Sequence, residues 1–242
     1  NLNSDFSYTA GSGDIAVGTI QTGSGDVTLV ATSGDLNEIT SDLADKVETT
    51  GTVTLQASGQ IGSGTGNLAL DVDSGVLAAA SLAGGDLFLR DADGLVIGDG
   101  ALGVSGLTTG GGQIDVVSEG GLFQIQRDVN AAAGNITLDA FQIEVDASVS
   151  GNAIDIVSDN LMQVTAGNQI VSSAGISVQA GSIVTGGGSS GSATFTAASG
   201  QSVQLSTTGG DIALGSFAID SGTAVIDAGT NSILGSASDG NQ

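Results

Sequence analysis

The sequence contains no cysteine, histidine, proline or tryptophan. Without Cys or His, thiol chemistry, structural zinc and histidine acid–base catalysis are excluded. The missing proline suits strands held in continuous internal ladders, because proline has no N–H to donate there. Basic residues are almost absent too. Lys46, Arg90 and Arg127 stand against 26 acidic residues, for a net charge of −23. That balance argues against nucleic acid and anionic membranes as partners, since both need clustered Lys or Arg. Such a surface stays soluble and attracts divalent cations. Aromatics make up only 3% of the chain, so the core must be thin and built from Val, Ile, Leu and Ala. An immunoglobulin-like sandwich would show a core Trp or a tyrosine corner. No run of 18 apolar residues exists, so no segment is built to span a bilayer as a helix.

What is present is glycine, 41 residues in 242, in a recurring unit. A glycine and a small polar residue precede apolar-polar-apolar in Gly112-Gln113-Ile114-Asp115-Val116 and again in Gly134-Asn135-Ile136-Thr137-Leu138. Between and after them come Leu122-Phe123-Gln124-Ile125 and the alternation Phe141, Ile143, Val145, Ala147, Val149. Period two predicts strands with one buried and one wet face. Each unit is too short to bury its apolar face alone and must lie against a copy of itself.

Further copies include Gly13-Asp14-Ile15-Ala16-Val17, Gly25-Asp26-Val27-Thr28-Leu29, Gly85-Asp86-Leu87-Phe88-Leu89 and Gly210-Asp211-Ile212-Ala213-Leu214. Gly-Asp reads as a tight turn in which Gly supplies positive φ and Asp bonds its own backbone. Residues 36 to 47 show near-helical spacing, but their Thr-rich flanks favour strand and loop. Residues 186 to 191 read as a loop between coils, because the repeat resumes at once. Strand-like runs recur about every ten residues and glycine-led ones about every twenty, as expected for a solenoid coil of two or three strands. Parallel stacking satisfies the backbone from above and below, leaving edges only at the ends. The reading is therefore all-β, one continuous parallel stack of roughly a dozen coils across residues 1–242, with a rod on the order of 55 to 60 Å long. Stacked carboxylates would repel, so the aspartates are expected at turns, locally hydrogen-bonded or bridged by cations.

The units over 112–149, with SGQIGSGTGNLALDV at 58–72 and GDLFLRDADGLVIGDG at 85–100, resemble the haemagglutinin-type β-strand repeats of filamentous-haemagglutinin-like exoproteins and giant bacterial surface adhesins. The resemblance covers nearly the whole chain and implies a right-handed parallel β-helix, secreted and displayed at the bacterial cell surface as a stalk, adhesin shaft or filament subunit. The chain is expected to be a segment or processed form of a longer exoprotein. It lacks the family's Asn-Pro-Asn secretion motif.

Candidate sites are few. Asp91, Asp93 and Asp99 beside Arg90 could act on a glycosidic bond, although Asp-Ala-Asp-Gly and Gly-Asp-Gly are also plain turn sequences. Asp71-Val72-Asp73-Ser74-Gly75 and Asp91-Ala92-Asp93-Gly94 resemble the opening of a calcium loop without its remaining ligands. Thr28, Thr52, Thr54 and Thr137 do not form a persistent ice-binding ladder. Asn130, Asn135, Asn152, Asn160 and Asn168 suggest a partial internal asparagine ladder. The expectation is thus a structural and adhesive β-solenoid, not an enzyme, with no catalytic, cofactor-binding or metal-ligating residue assigned and no cofactor required beyond weakly held calcium. Expected partners are copies of itself, end to end or side by side, and a cell-surface glycan or protein. The alternative is a β-helix that cleaves or binds polysaccharide, with Asp91 and Asp93 in a groove beside Arg90 or Arg127.

Overall fold

The computed structural model describes residues 3–39, 44, 46–186, 192–215, 217–220 and 222–235. The chain is a β-solenoid of about 10 turns in which every ladder between named strands is parallel. Segments at the same place in successive turns stack on three faces. The first face runs from Phe6–Ala10 through Val27–Ala31, Leu107–Thr109 and Val129–Asn130 to Ala193–Ala197 and Phe217–Asp220. Long strands such as Val149–Val164 and Gln169–Thr185 bend round the corners and contribute to all three faces.

Inward side chains stack on their counterparts one turn away. On the second face Ile15, Leu36, Ile61, Leu87, Ile114, Ile136, Ile154, Ile176 and Val203 form one column, and all of them are buried. Leu29, Leu55, Ala79, Leu107, Val129, Val149, Ile170 and Phe195 form another on the first face. Each fully buried Leu or Ile contributes about 1.5–3 kcal/mol. Small aliphatic residues fill both columns except at Phe195.

Turn length explains why there are fewer turns than the roughly dozen coils expected. Val129 lies under Val149, 20 residues on, whereas Ala79 lies under Leu107, 28 residues on. Connections absorb the difference. At about 4.8 Å per turn the stack is about 45 Å long.

The Gly-Asp units work differently from the sequence expectation. Gly13 has positive φ, but Gly25, Gly34, Gly85 and Gly112 do not. Their aspartates reach across turns rather than to their own backbone. The Asp14 carboxylate accepts the N–H of Asp35 at 2.9 Å, Asp35 that of Gln60 at 2.8 Å, and Asp86 that of Gln113 at 2.8 Å. A second corner repeats the device, with Asp5 accepting from Asp26 and Asp26 from Thr52. The glycine is needed because the turn below occupies the place of a side chain. A Cβ on Gly34, Gly112 or Gly134 would strike the carbonyl of Gly13, Gly85 or Gly112 respectively. Turn aspartates thus cap strand-entering amides, so that charge at the corners is hydrogen-bonded.

On the faces, carboxylates alternate with neutral residues. Asp115, Thr137, Asp155 and Ser177 stack in that order. Glu144 sits between Gln124 and Gln163 and accepts from both amides, at 3.2 and 3.4 Å. Repulsion is reduced rather than abolished. Burial, and then neighbouring carboxylates, hold Asp115, Asp139 and Glu144 above the usual carboxylate range.

Two local expectations are corrected. Phe141 does not share the buried face of Ile143 and Val145: the ladder shifts register between Ala140 and Ile143 at a corner, which turns Ala140 in and leaves Phe141 45% exposed. The asparagines lie outside, not inside, and only Asn152 and Asn135 bond side chain to side chain, at 2.9 Å. Leu36–Glu38 is a strand; residues 40–43 and 45 of the helix-spaced stretch and residues 187–191 of the glycine loop lie outside the described residues.

The contrast between two glycines tests this packing. Gly112→Ala must displace the backbone of Gly85 and is expected to cost about 2 kcal/mol or more. Gly209→Ala meets nothing within 4 Å and should stay within about 0.5 kcal/mol of wild type in urea unfolding.

Candidate functional site

The residues singled out in the sequence gather where the stack is irregular. On the third face Ile20, Val47 and Val72 form one column, and Ile97, Ile125, Val145 and Val164 another. Between them the register breaks: Leu70 and Asp71 pair with Leu89 and Arg90, while Leu77 pairs with Ile97. Two excursions leave the stack here, at residues 62–69 and 98–106, each with a single 3-10 turn.

Strand Leu87–Asp91 is buried along its whole length, including its charged end. Gly62 of the first excursion lies against the backbone of Phe88. Arg90 is 5% exposed and ties three turns together. It donates to Asp71 at 3.2 Å from one side and, through two nitrogens, to Glu119 at 2.7 and 3.0 Å from the other. Lys46, also buried, precedes Asp71 in the same column and donates its backbone N–H to the Asp71 carbonyl. Glu38 accepts the Asp71 N–H at 2.9 Å. The hydrogen bond that Arg90 donates to Glu119 raises the Arg90 pKa above its already high value against the opposing effect of burial, and Asp71 adds to the rise. This is a charge network inside the wall of the rod.

The two Asp-x-Asp motifs do not act as separate loops. The structure splits the first and joins part of it to the second: carboxylate oxygens of Asp73, Asp91 and Asp93 lie within 4.8 Å of one another. Asp91 is fully buried, and one of its oxygens accepts from the N–H groups of Asp93 and Gly94, at 3.1 and 2.6 Å. The trio could supply three of the six to eight oxygens that calcium takes. Asp71 faces Arg90 instead.

Arg90 and Asp91 are buried and Asp93 is exposed, whereas the polysaccharide-cleaving alternative expects Asp91 and Asp93 together in a groove. Asp99 lies apart from them. It forms a forked ion pair with Arg127 at 2.7–2.9 Å and accepts from Ser105 at 2.6 Å. Hydrogen bonds from Arg127 and then Ser105 hold its carboxyl below the usual range. That pair pins the base of excursion 98–106, whose Ala101 N–H reaches Thr54 at 2.8 Å and whose Val104 packs on Ala78 and Ala80. Thr54 is thereby covered. Leu102 at the tip is 67% exposed with φ of 57°.

Glu119 was not foreseen. Its signal is spacing: Asp71, Arg90 and Glu119 are 19 and 29 residues apart, close to one turn each, and charges one turn apart stack. Among the described residues no helix is long and apolar enough to cross a membrane.

Arg90→Leu removes the guanidinium that Asp71 faces in the wall and is expected to cost about 3–5 kcal/mol; adding Asp71→Leu should recover much of that loss. Urea unfolding of both variants measures the difference. Compared with protein-family models, curated proteins and solved structures, the chain matches none.

Proposed function

We propose that the chain is an extracellular structural and adhesive element, a rigid shaft at a bacterial surface whose work is length, stiffness and display. The observation that carries this reading is the coil-to-coil continuity of the wall. Ladders, glycine contacts and aspartate caps recur from turn to turn, so bending at one level opens bonds at the next. Repeat stacks of this kind gain stability from each neighbour interface. Chemistry-bearing residues support the same reading, because Arg90 and Asp71 hold turns together and Asp91 closes its own corner. The acidic exterior keeps such rods apart laterally and soluble.

The same geometry favours growth along the axis. Among the described residues Phe6–Ala10 pairs only with Val27–Ala31, and Thr223–Asp227 only with Ser202–Thr207. Each offers an open parallel edge to a further turn, from the same polypeptide or from a second copy.

Negative-stain electron microscopy of the purified chain tests the reading. Straight rods about 45 Å long, or fibres built from them, are expected. Flexible or collapsed particles would overturn it.

A further inference from the structure

Charge is distributed unevenly over the three faces. On the first face an outward column runs turn by turn from Thr9 through Ala80, Thr108, Ser150 and Val171 to Thr196. Among the described residues, no outward strand position of this face from Phe6–Ala10 to Ala193–Ala197 holds a charged side chain. The other faces do hold them. Asp115, Asp139 and Asp155 lie outward on the second, and Glu48, Asp73 and Glu144 on the third. Carboxylates border the first face only at its corner with the third, where Asp5, Asp26 and Asp128 each accept a backbone N–H of the next turn. From Leu107 onward its opposite corner, at residues 110–111, 131–133 and 173–174, is uncharged.

Part of this face is already covered, and by protein. Excursion 98–106 lies on it, with the Ala101 N–H on the Thr54 hydroxyl at 2.8 Å and Val104 packed on Ala78 and Ala80. Contact is close: a Cβ on Gly100 would strike Thr54 and Ala78. The face therefore takes an uncharged surface through hydroxyls and small apolar groups. Its open part continues from the covered part without a break, since Thr108 stacks directly on Ala80. Five turns follow, in which Thr108 and Asn130 are exposed and Ser150, Val171, Thr194 and Thr196 half-buried.

Charge also decides the occupant. A cationic partner is drawn to the carboxylate-bearing faces instead. A second copy, itself of net charge −23, is repelled by those two faces and meets the fewest carboxylates here. We infer that two rods of this chain pair side by side, first face to first face. The inference rests on the shaft reading, because only a straight wall presents five turns in one plane. Parallel rods in register would bring excursion against excursion, so the two-fold pair is antiparallel, overlapping over the turns from Leu107 onward. Five turns about 4.8 Å apart and strands about 16 Å long give about 400 Å² on each copy. About 800 Å² in all makes a weak, reversible contact. The acidic faces left outside hold further rods away, so pairing stops at two.

The experiment is sedimentation velocity and small-angle X-ray scattering of the whole chain, from about 10 μM to about 1 mM, at low salt and at about 0.5 M, where charges are screened beyond about 4 Å. Particles of twice the mass and a thicker cross-section should form as concentration and salt rise. Ser150→Glu and Thr194→Glu set like charges across the contact and should weaken pairing about tenfold or more. Ser177→Glu, outward on the second face, should leave it unchanged, and melting curves establish that all three variants fold. Monomers at every concentration and salt, pairing indifferent to both first-face variants, or particles that double in length at the width of one rod would each overturn the inference. The last would mean that copies join end to end. Straight single rods in micrographs alongside any of these would leave the shaft intact and remove only the lateral contact.

Discussion

The close approach of one turn to the next is the constraint on which the rest depends. Parallel turns must lie about 4.8 Å apart for their backbones to pair, and at the corners this leaves no room for a side chain. Glycine at 34, 112 and 134 lets the carbonyl of the turn below pass where a Cβ would stand. The residue that follows supplies the compensation at Gly34, Gly85 and Gly134. The side-chain oxygen of Asp35, Asp86 or Asn135 reaches the next turn and accepts a backbone N–H that the turn geometry would otherwise leave without a strand partner. Glycine and aspartate are therefore one device, and it accounts for much of the chain's glycine and part of its acidity.

Once the corners fix the spacing, the faces follow. Inward positions stack aliphatic on aliphatic in continuous columns, which explains a core without tryptophan. Outward positions stack too, so like charges would face one another at every turn. Interleaving with Thr, Ser and Gln lowers that cost; burial is the main cause of the raised pKa values of Asp115 and Asp139, and neighbouring carboxylates add the remainder. Where the register breaks, between Val72 and Ile97, buried charge takes over the joining of turns. Arg90 bridges Asp71 and Glu119 across three levels of the stack.

The fold was legible because period two and a recurring glycine are both local signals. Turn number was not, since connections between strands vary and the same pattern tolerates turns of 20 or 28 residues. Phe141 misled for a related reason. Alternation continues in sequence across a corner, but the corner resets which side faces in. Asp71 and Asp73 look like a pair in sequence, yet in the structure Asp71 pairs with Arg90 while Asp73 lies with Asp91 and Asp93. The spacing signal of Glu119 was unreadable in sequence because its partner Arg90 is about one turn away, and a residue's neighbours one turn away are known only when the turn length is known.

Hydrogen exchange at the corner amides tests the inter-turn device most directly. The N–H groups of Asp35, Gln60 and Gln113, each held by an aspartate of the turn below, should be protected as strongly as strand amides such as that of Ile136. Exchange at the rate of open turns at all three, with the strands still protected, would show that the corners are not joined and would contradict the inter-turn device.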